Sequence, residues 1–229
     1  MNMKAHFTNA METLKGMLDE ASASAERAVR DAVQAVTTLD GDLARRVING
    51  DERLDHSEVL IEEECLKVLA LHQPVACDLR EVVTILKVNG EIERVGDLAV
   101  NVAERVEDLA KYSDRRLRRM EFSKMSAEAC AMLRQALDAL NSGDAAMAEE
   151  IIRHDDVVDE IHRENYSLVR NDILADPQGA QYYLNGLTIS RCLERIADIA
   201  TNIAEDLIYL ETGRIVRHKT DREQGEGRR

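Results

Sequence analysis

The 229-residue sequence predicts an all-α protein: six long helices forming two tandem antiparallel three-helix bundles. Three observations carry that expectation. Apolar residues recur with a helical period. Val47, Leu54, Ile61 and Val68 lie seven apart, and Ile92, Val95, Ala99, Val102, Val106 and Leu109 step by three and four. Strand signals are scarce, because only 3% of residues are aromatic, there are two prolines, and β-branched runs are few. A block of residues also returns about a hundred positions later, which makes the chain a repeat.

The periodicity places helices at about 5–39, 43–71, 75–113, 121–141, 145–174 and 178–212, most of them roughly 45 Å long. Gly41-Asp42 and Ser142-Gly143-Asp144 supply turns, each Asp placed to cap the next helix. Pro74 is expected in the first turn of the third helix and Pro177, behind Asp176, in the first turn of the sixth. Asp78 then suits the positive end of the third helix.

The repeat is explicit. Glu93-Arg-Val-Gly-Asp97-Leu-Ala-Val-Asn101-Val-Ala-Glu104 returns as Glu194-Arg-Ile-Ala-Asp198-Ile-Ala-Thr-Asn202-Ile-Ala-Glu205, identical at seven of twelve positions. Upstream, Asp51-Glu-Arg-Leu-Asp55 returns as Asp155-Asp-Val-Val-Asp159. The first pair of blocks is offset by 101 and the second by 104, so a small indel separates them. The units are 5–113 and 121–212. The segment 214–229 loses periodicity, is rich in Gly and charge, and is expected to be a disordered tail. With so few aromatics, the core must be Ala, Leu, Val, Ile and Met. Two such bundles are expected to pack side by side in a flat, elongated molecule.

Charge and composition exclude several functions. The chain has 44 acidic residues against 30 Lys and Arg, a net charge of −14, which opposes binding to nucleic acid. Four cysteines without a C-x-x-C pair fit a reducing compartment. Neither a membrane-length apolar run nor a signal peptide is present, so the expected location is the cytoplasm. No P-loop, dinucleotide fingerprint, H-E-x-x-H or G-x-S-x-G occurs. A ferritin-like di-iron oxidase needs Glu-x-x-His motifs on two helices, and the nearest match is a single Asp159-x-x-His162.

The acidic residues are patterned. Glu93, Asp97, Asn101 and Glu104 form one line along a helix, and Glu194, Asp198, Asn202 and Glu205 form its copy. Asp51, Asp55, Glu58 and Glu62 form another line, whose copy is Asp155, Asp159, His162 and Tyr166. Like charges four apart repel by a few tenths of a kcal/mol. If two such helices face each other, four carboxylates converge, and their protons are held more tightly unless cations neutralise them. Carboxylate oxygens suit Mg²⁺, Ca²⁺, Mn²⁺ or ferric iron. Two other readings remain. Arg94 and Arg195 pair with acids of a neighbouring helix, or the stripes are simply solvated faces.

These residues resemble the PhoU family. The resemblance lies in Gln73-Pro-Val-Ala-Cys-Asp78-Leu-Arg80, in the two E-R-x-[GA]-D-x-A-x-N-[IV]-A-E blocks, in Tyr209-Leu-Glu-Thr-Gly213 and in His6-Phe7, and it spans about 5–213. It implies tandem three-helix bundles and a non-enzymatic regulator of phosphate uptake and of the phosphate-starvation response. Such a regulator acts between a phosphate ABC transporter, through its ATPase subunit, and a sensor histidine kinase. It would meet the membrane only through those partners and is often a homodimer. The resemblance further implies a multinuclear metal cluster, of iron or zinc, at D/E-x-x-x-D motifs. Carried over, the ligands are Asp51, Asp55, Glu93 and Asp97, then Asp155, Asp159, Glu194 and Asp198. Asn101 and Asn202 are additional donors, and Glu58 and Glu62 are placed on the helix surface.

Gly96 becomes Ala197 in the copy, with no functional difference expected. Lys111, Arg115, Arg116, Arg118 and Arg119 cluster between the units, either as a solvated helix end or as a docking patch for an acidic partner. His56 and His154 are assigned to the surface. The cysteines are assigned to the core, with Cys77 partly exposed. Metal storage or a metal-dependent enzyme on the same bundle is the alternative function, and a purely structural helical protein is the third.

Overall fold

The computed structural model describes residues 3–112 and 120–213. Six α-helices follow in order: α1 (Met3–Thr38), α2 (Gly41–His72), α3 (Cys77–Ala110), α4 (Phe122–Ser142), α5 (Ala145–Ala175) and α6 (Ala180–Thr212), with a 3-10 turn at Pro177–Gly179 before α6. Helix ends agree with the periodicity to within three residues. The predicted tail 214–229 and the arginines 115, 116, 118 and 119 lie outside the described residues.

Within each unit the three helices pack on one another, and the units meet through α1 on α4 and α3 on α6. Helices α2 and α5 therefore lie outermost. The buried core is the expected set of Ala, Leu, Val, Ile and Met, joined by Cys65, Cys130, Cys192, Phe122 and Tyr182. Burying each Leu, Ile or Val contributes roughly 1.5–3 kcal/mol, so the apolar stripes decide which face of every helix turns inward. Cys77 is exposed, as expected.

Several local expectations need correction. The α1–α2 turn is capped by Asp40, not Asp42: its carboxylate accepts from the backbone N–H of Asp42 and Leu43 at 3.0 and 2.9 Å. Leu39 takes the left-handed backbone (φ 54°) that ends α1, so Gly41 is left to begin α2. In the copy, Gly143 takes that conformation (φ 69°) and Asp144 caps α5, as expected. Pro74 lies in the α2–α3 loop ahead of Cys77 and not in the first turn of α3, whereas Pro177 opens the 3-10 turn. The two prolines do not share a role. The α2–α3 and α5–α6 connections are thus built differently, and they account for the change of offset between the blocks.

Gly96 and Ala197 are not interchangeable. A Cβ on Gly96 would collide with Leu54 Cδ2 and stand 3.2 Å from Asp51 Oδ1. In the second unit Val158 replaces Leu54, and the shorter side chain accompanies the Ala197 methyl. The swap is tied to the facing residue, which changed with it. Alanine at a helical glycine gains about 1 kcal/mol of propensity, but overpacking costs about 1–3 kcal/mol. Gly96→Ala should therefore lose roughly 1 kcal/mol net. Adding Leu54→Val should restore stability, read by urea denaturation. Simple additivity of the two costs would contradict this packing account.

Candidate metal centre

The functional candidates sit where α2 meets α3 and where α5 meets α6. In the first unit Asp51 and Glu93 are half-buried while Asp55 and Asp97 are exposed. Core neighbours fix them there: Leu54 on α2 and Val95 and Gly96 on α3 are buried, so the adjacent acids are carried to the rim of the helix contact. Burial pushes the Asp51 carboxyl above the usual range, with Asp55 and Asp97 adding to it. Glu93 is raised by burial, then by Asp97, Glu58, Asp55 and Asp51. All four predicted residues of this unit thus feel one another across the two helices. So does Glu58, half-buried on the turn after Asp55. The sequence assigns it to the helix surface, because its copy, His162, is not acidic, and the structure corrects that by setting it beside Glu93. Glu62 is exposed, as expected.

The second unit holds the same arrangement more tightly. Burial pushes Asp155 up to about 7, helped by Asp159, Asp198, Glu194 and then Asp156. Glu194 is raised by burial, Asp198 and Asp159, against Arg191 and Arg195. Asp198 is raised by burial and Asp159, against Arg195. Asp155 Oδ1 is buried and has no hydrogen-bond partner among the described residues. Leaving such a group unsatisfied is costly, and a proton or a cation would relieve it. Asn202 is half-buried one turn past Asp198, whereas Asn101 is exposed.

Arg94 pairs at 2.9 Å with Glu91 of its own helix, not with a neighbouring helix as one reading held. Arg195 acts on Glu194 and Asp198, again within its helix. His154 is partly exposed and pairs with Glu128 of α4 at 3.0 Å. Lys111 pairs at 2.7 Å with Asp108.

Polar ties hold each helix pair in register, and their chemistry differs between copies. Asn89 on α3 donates to the Glu58 carbonyl at 2.9 Å. At the equivalent position of α6, Ser190 meets His162 at 2.9 Å and accepts from Asn165 at 3.0 Å. Burial lowers the His162 pKa. The ring belongs to this buried hydrogen-bond group and lies one turn past Asp159.

Among the described residues, no three His, Cys, Asp or Glu side chains close around one point as an ion's ligands would. The donor chemistry nonetheless fits a hard cation: four carboxylates per unit, mutually repelling, one with an orphaned oxygen. No described helix is long and apolar enough to cross a membrane.

Comparison with known proteins gives consistent likenesses. A family model described as "PhoU domain" matches residues 18–106 and again 122–207. The "Phosphate-specific transport system accessory protein PhoU homolog" of Pseudomonas aeruginosa is 33% identical over 217 residues, 95% of this chain and 90% of that protein. The "Phosphate-specific transport system accessory protein PhoU" of Escherichia coli K12 is 30% identical over 223 residues, 95% and 92% of the two chains. The crystal structure of PhoU from Pseudomonas aeruginosa superposes with a TM-score of 0.85, covering 91% of this chain and all of that one. The phosphate transport system regulatory protein PhoU of Streptococcus pneumoniae, at 27% identity, gives 0.78, covering 94% and 99%.

The raised carboxyls set a pH dependence for chelator-treated protein. A carboxyl whose folded pKa exceeds its unfolded value stabilises the fold below the unfolded pKa, and that contribution is lost as pH rises through the folded value. For Asp155 the window runs from 3.8 to about 7. Chelator-treated Asp155→Asn should exceed wild type by on the order of 1–2 kcal/mol above this window, after discounting for solvent screening. The advantage should vanish near the bottom of the window, as read by denaturation across the pH range. A constant difference at every pH would disprove the electrostatic origin.

Proposed function

The chain belongs to the PhoU family, and from that premise we propose that it is a cytoplasmic adaptor of the phosphate transport system, with metal held at the two carboxylate sets. The family is one of regulatory accessory proteins, not of enzymes. In this reading the protein engages the ATPase subunit of a phosphate ABC transporter and a sensor histidine kinase, and restrains uptake and starvation signalling when phosphate is plentiful. It reaches the membrane through those partners and acts as a homodimer.

The observation that supports the metal most strongly is the buried, unpartnered Asp155 oxygen among Asp159, Glu194 and Asp198. Those four residues would hold an ion in the second unit, and Asp51, Asp55, Glu93 and Asp97 in the first. A bound cation supplies charge compensation for carboxylates that otherwise repel. The chain's own residues do the rest. The α2–α3 and α5–α6 contacts hold the carboxylates at fixed positions. Asn89 and Ser190 pin those helix pairs in register. Long, packed helices present extended surfaces to partners at little ordering cost.

Glu93→Gln with Asp97→Asn should lower the metal content of protein purified without chelator, read by elemental analysis, with the helical content unchanged. The equivalent change at Glu194 and Asp198 should remove the remainder. Unaltered metal content in both variants would refute the site. Capture from phosphate-replete cells should recover the transporter ATPase and the kinase. Their absence from wild-type captures would refute the adaptor role independently of metal.

A further inference from the structure

The two units differ most at a place the carboxylate sets do not explain. Between α1, α2 and α3 lies a cavity of about 360 Å³, within the range of small-ligand sites. Its lining includes Arg27, Arg46 and Arg53, with Ser24 and Ser57 beside them and Asp31 and Asp51 the acids present. Among the described residues none of the three arginines forms an ion pair. In a chain of net charge −14, three unpaired arginines around one cavity are a local reversal of sign. Two glycines keep the space open. A guanidinium nitrogen of Arg53 lies 3.8 Å from where a Cβ on Gly50 would stand, and Gly96 leaves bare backbone beside Asp51.

The copy lines the same place with different residues. At the 104-residue offset Arg27, Arg46 and Arg53 become Ala131, Glu150 and Val157, so all three positive charges are gone. Ser24 becomes Glu128 and Gly50 becomes His154, and these two join at 3.0 Å across α4 and α5. Ala28 becomes Met132, fully buried, and Ser57 becomes Ile161, also buried. The second unit places apolar bulk there, with a hydrogen bond between His154 and Glu128 across it. The first leaves it open and positive.

We propose that this cavity of the first unit is a binding site for phosphate-type oxyanions, free or carried on a small molecule, held by Arg27, Arg46 and Arg53. Guanidinium forks match phosphate oxygens in pairs. Three forks carry more donors than the two oxygens of a carboxylate can accept, which favours a tetrahedral anion. A bare divalent cation is repelled by the same three charges, which outnumber the two acids, Asp31 and Asp51, on the lining. Ser24 and Ser57 currently donate to the carbonyls of Glu20 and Arg53 on their own helices, at 2.9 Å each.

The test uses the full chain with chelator present throughout, so it is independent of the metal reading. Orthophosphate, pyrophosphate and a nucleoside triphosphate are titrated by calorimetry at low and physiological salt, with succinate as the carboxylate dianion. Binding of orthophosphate assigns the site to the free anion. Binding of only the larger two assigns it to a carried phosphate. Arg46→Gln and Arg53→Gln should each weaken binding by about tenfold or more. Ser24→Glu with Gly50→His, which copies the His154–Glu128 contact of the second unit, should abolish it. Arg153→Gln, on α5, should leave it unchanged. Circular dichroism and melting of each variant confirm the fold. The proposal is overturned if none of the phosphates binds at millimolar concentration, if succinate binds equally well, or if binding survives the arginine substitutions in folded protein.

Discussion

Everything in this molecule turns on one constraint: apolar packing holds like-charged carboxylates against each other. The buried residues of α2, α3, α5 and α6 leave no choice about where the intervening acids go. Leu54 is buried, so Asp51 and Asp55 flank the contact. Val95 and Gly96 are buried, so Glu93 and Asp97 do the same from the facing helix. Val158, Ile196 and Ala197 repeat this in the second unit. Repulsion between exposed pairs costs tenths of a kcal/mol, whereas each buried aliphatic side chain contributes roughly 1.5–3 kcal/mol. The packing wins, and the cost remains as carboxyl pKa values raised first by burial and then by neighbouring acids. A fold with such a surplus can keep a site that is unfavourable when empty.

The repeat makes the division of labour visible. What both copies retain is the set of four carboxylates and the apolar stripes. What they exchange is everything that adjusts the helix spacing around them: Gly96 with Leu54 against Ala197 with Val158, and Asn89 on a carbonyl against Ser190 on His162 and Asn165. The interface between units shows the same history. Arg30 and Arg134 are equivalent residues, and both reach the buried Glu26, at 3.1 and 2.5 Å. The equivalent of Glu26 is Cys130, whose thiol burial pushes further from ionisation. One carboxylate therefore serves both arginines across α1 and α4, while Lys87 and Asp206 tie α3 to α6 at 3.2 Å.

The helices and the repeat were legible because each rests on many residues read along one dimension. The eight carboxylates stand out in the sequence because duplication marks them twice. What escaped depends on single backbone angles or on several helices at once. Nothing in Leu39 announces a left-handed helix end, so the cap was placed two residues late. Pro74 carries the same local signal whether it opens a helix or precedes one. Glu58 was set aside because its copy is His162, yet its neighbour across the contact is Glu93. The arginine cavity escaped for the opposite reason. Arg27 belongs to α1, Arg46 and Arg53 belong to α2, and only the packed unit shows that they line one space.

Asp51 belongs to both places. It lies with Asp55, Glu93 and Asp97 on one side, and it lines the arginine cavity on the other. A charge arriving on either side changes the potential at this carboxylate, so a cation and an oxyanion, were both to bind the first unit, would be thermodynamically linked, each altering the affinity for the other by the same factor. Opposite charges on either side of one carboxylate favour joint occupancy. The second unit has the carboxylates without the three arginines, and His154 meets Glu128 where Gly50 and Ser24 stand in the first. The duplication thus keeps the carboxylate pattern in both copies while only the first sets it beside a positively lined groove.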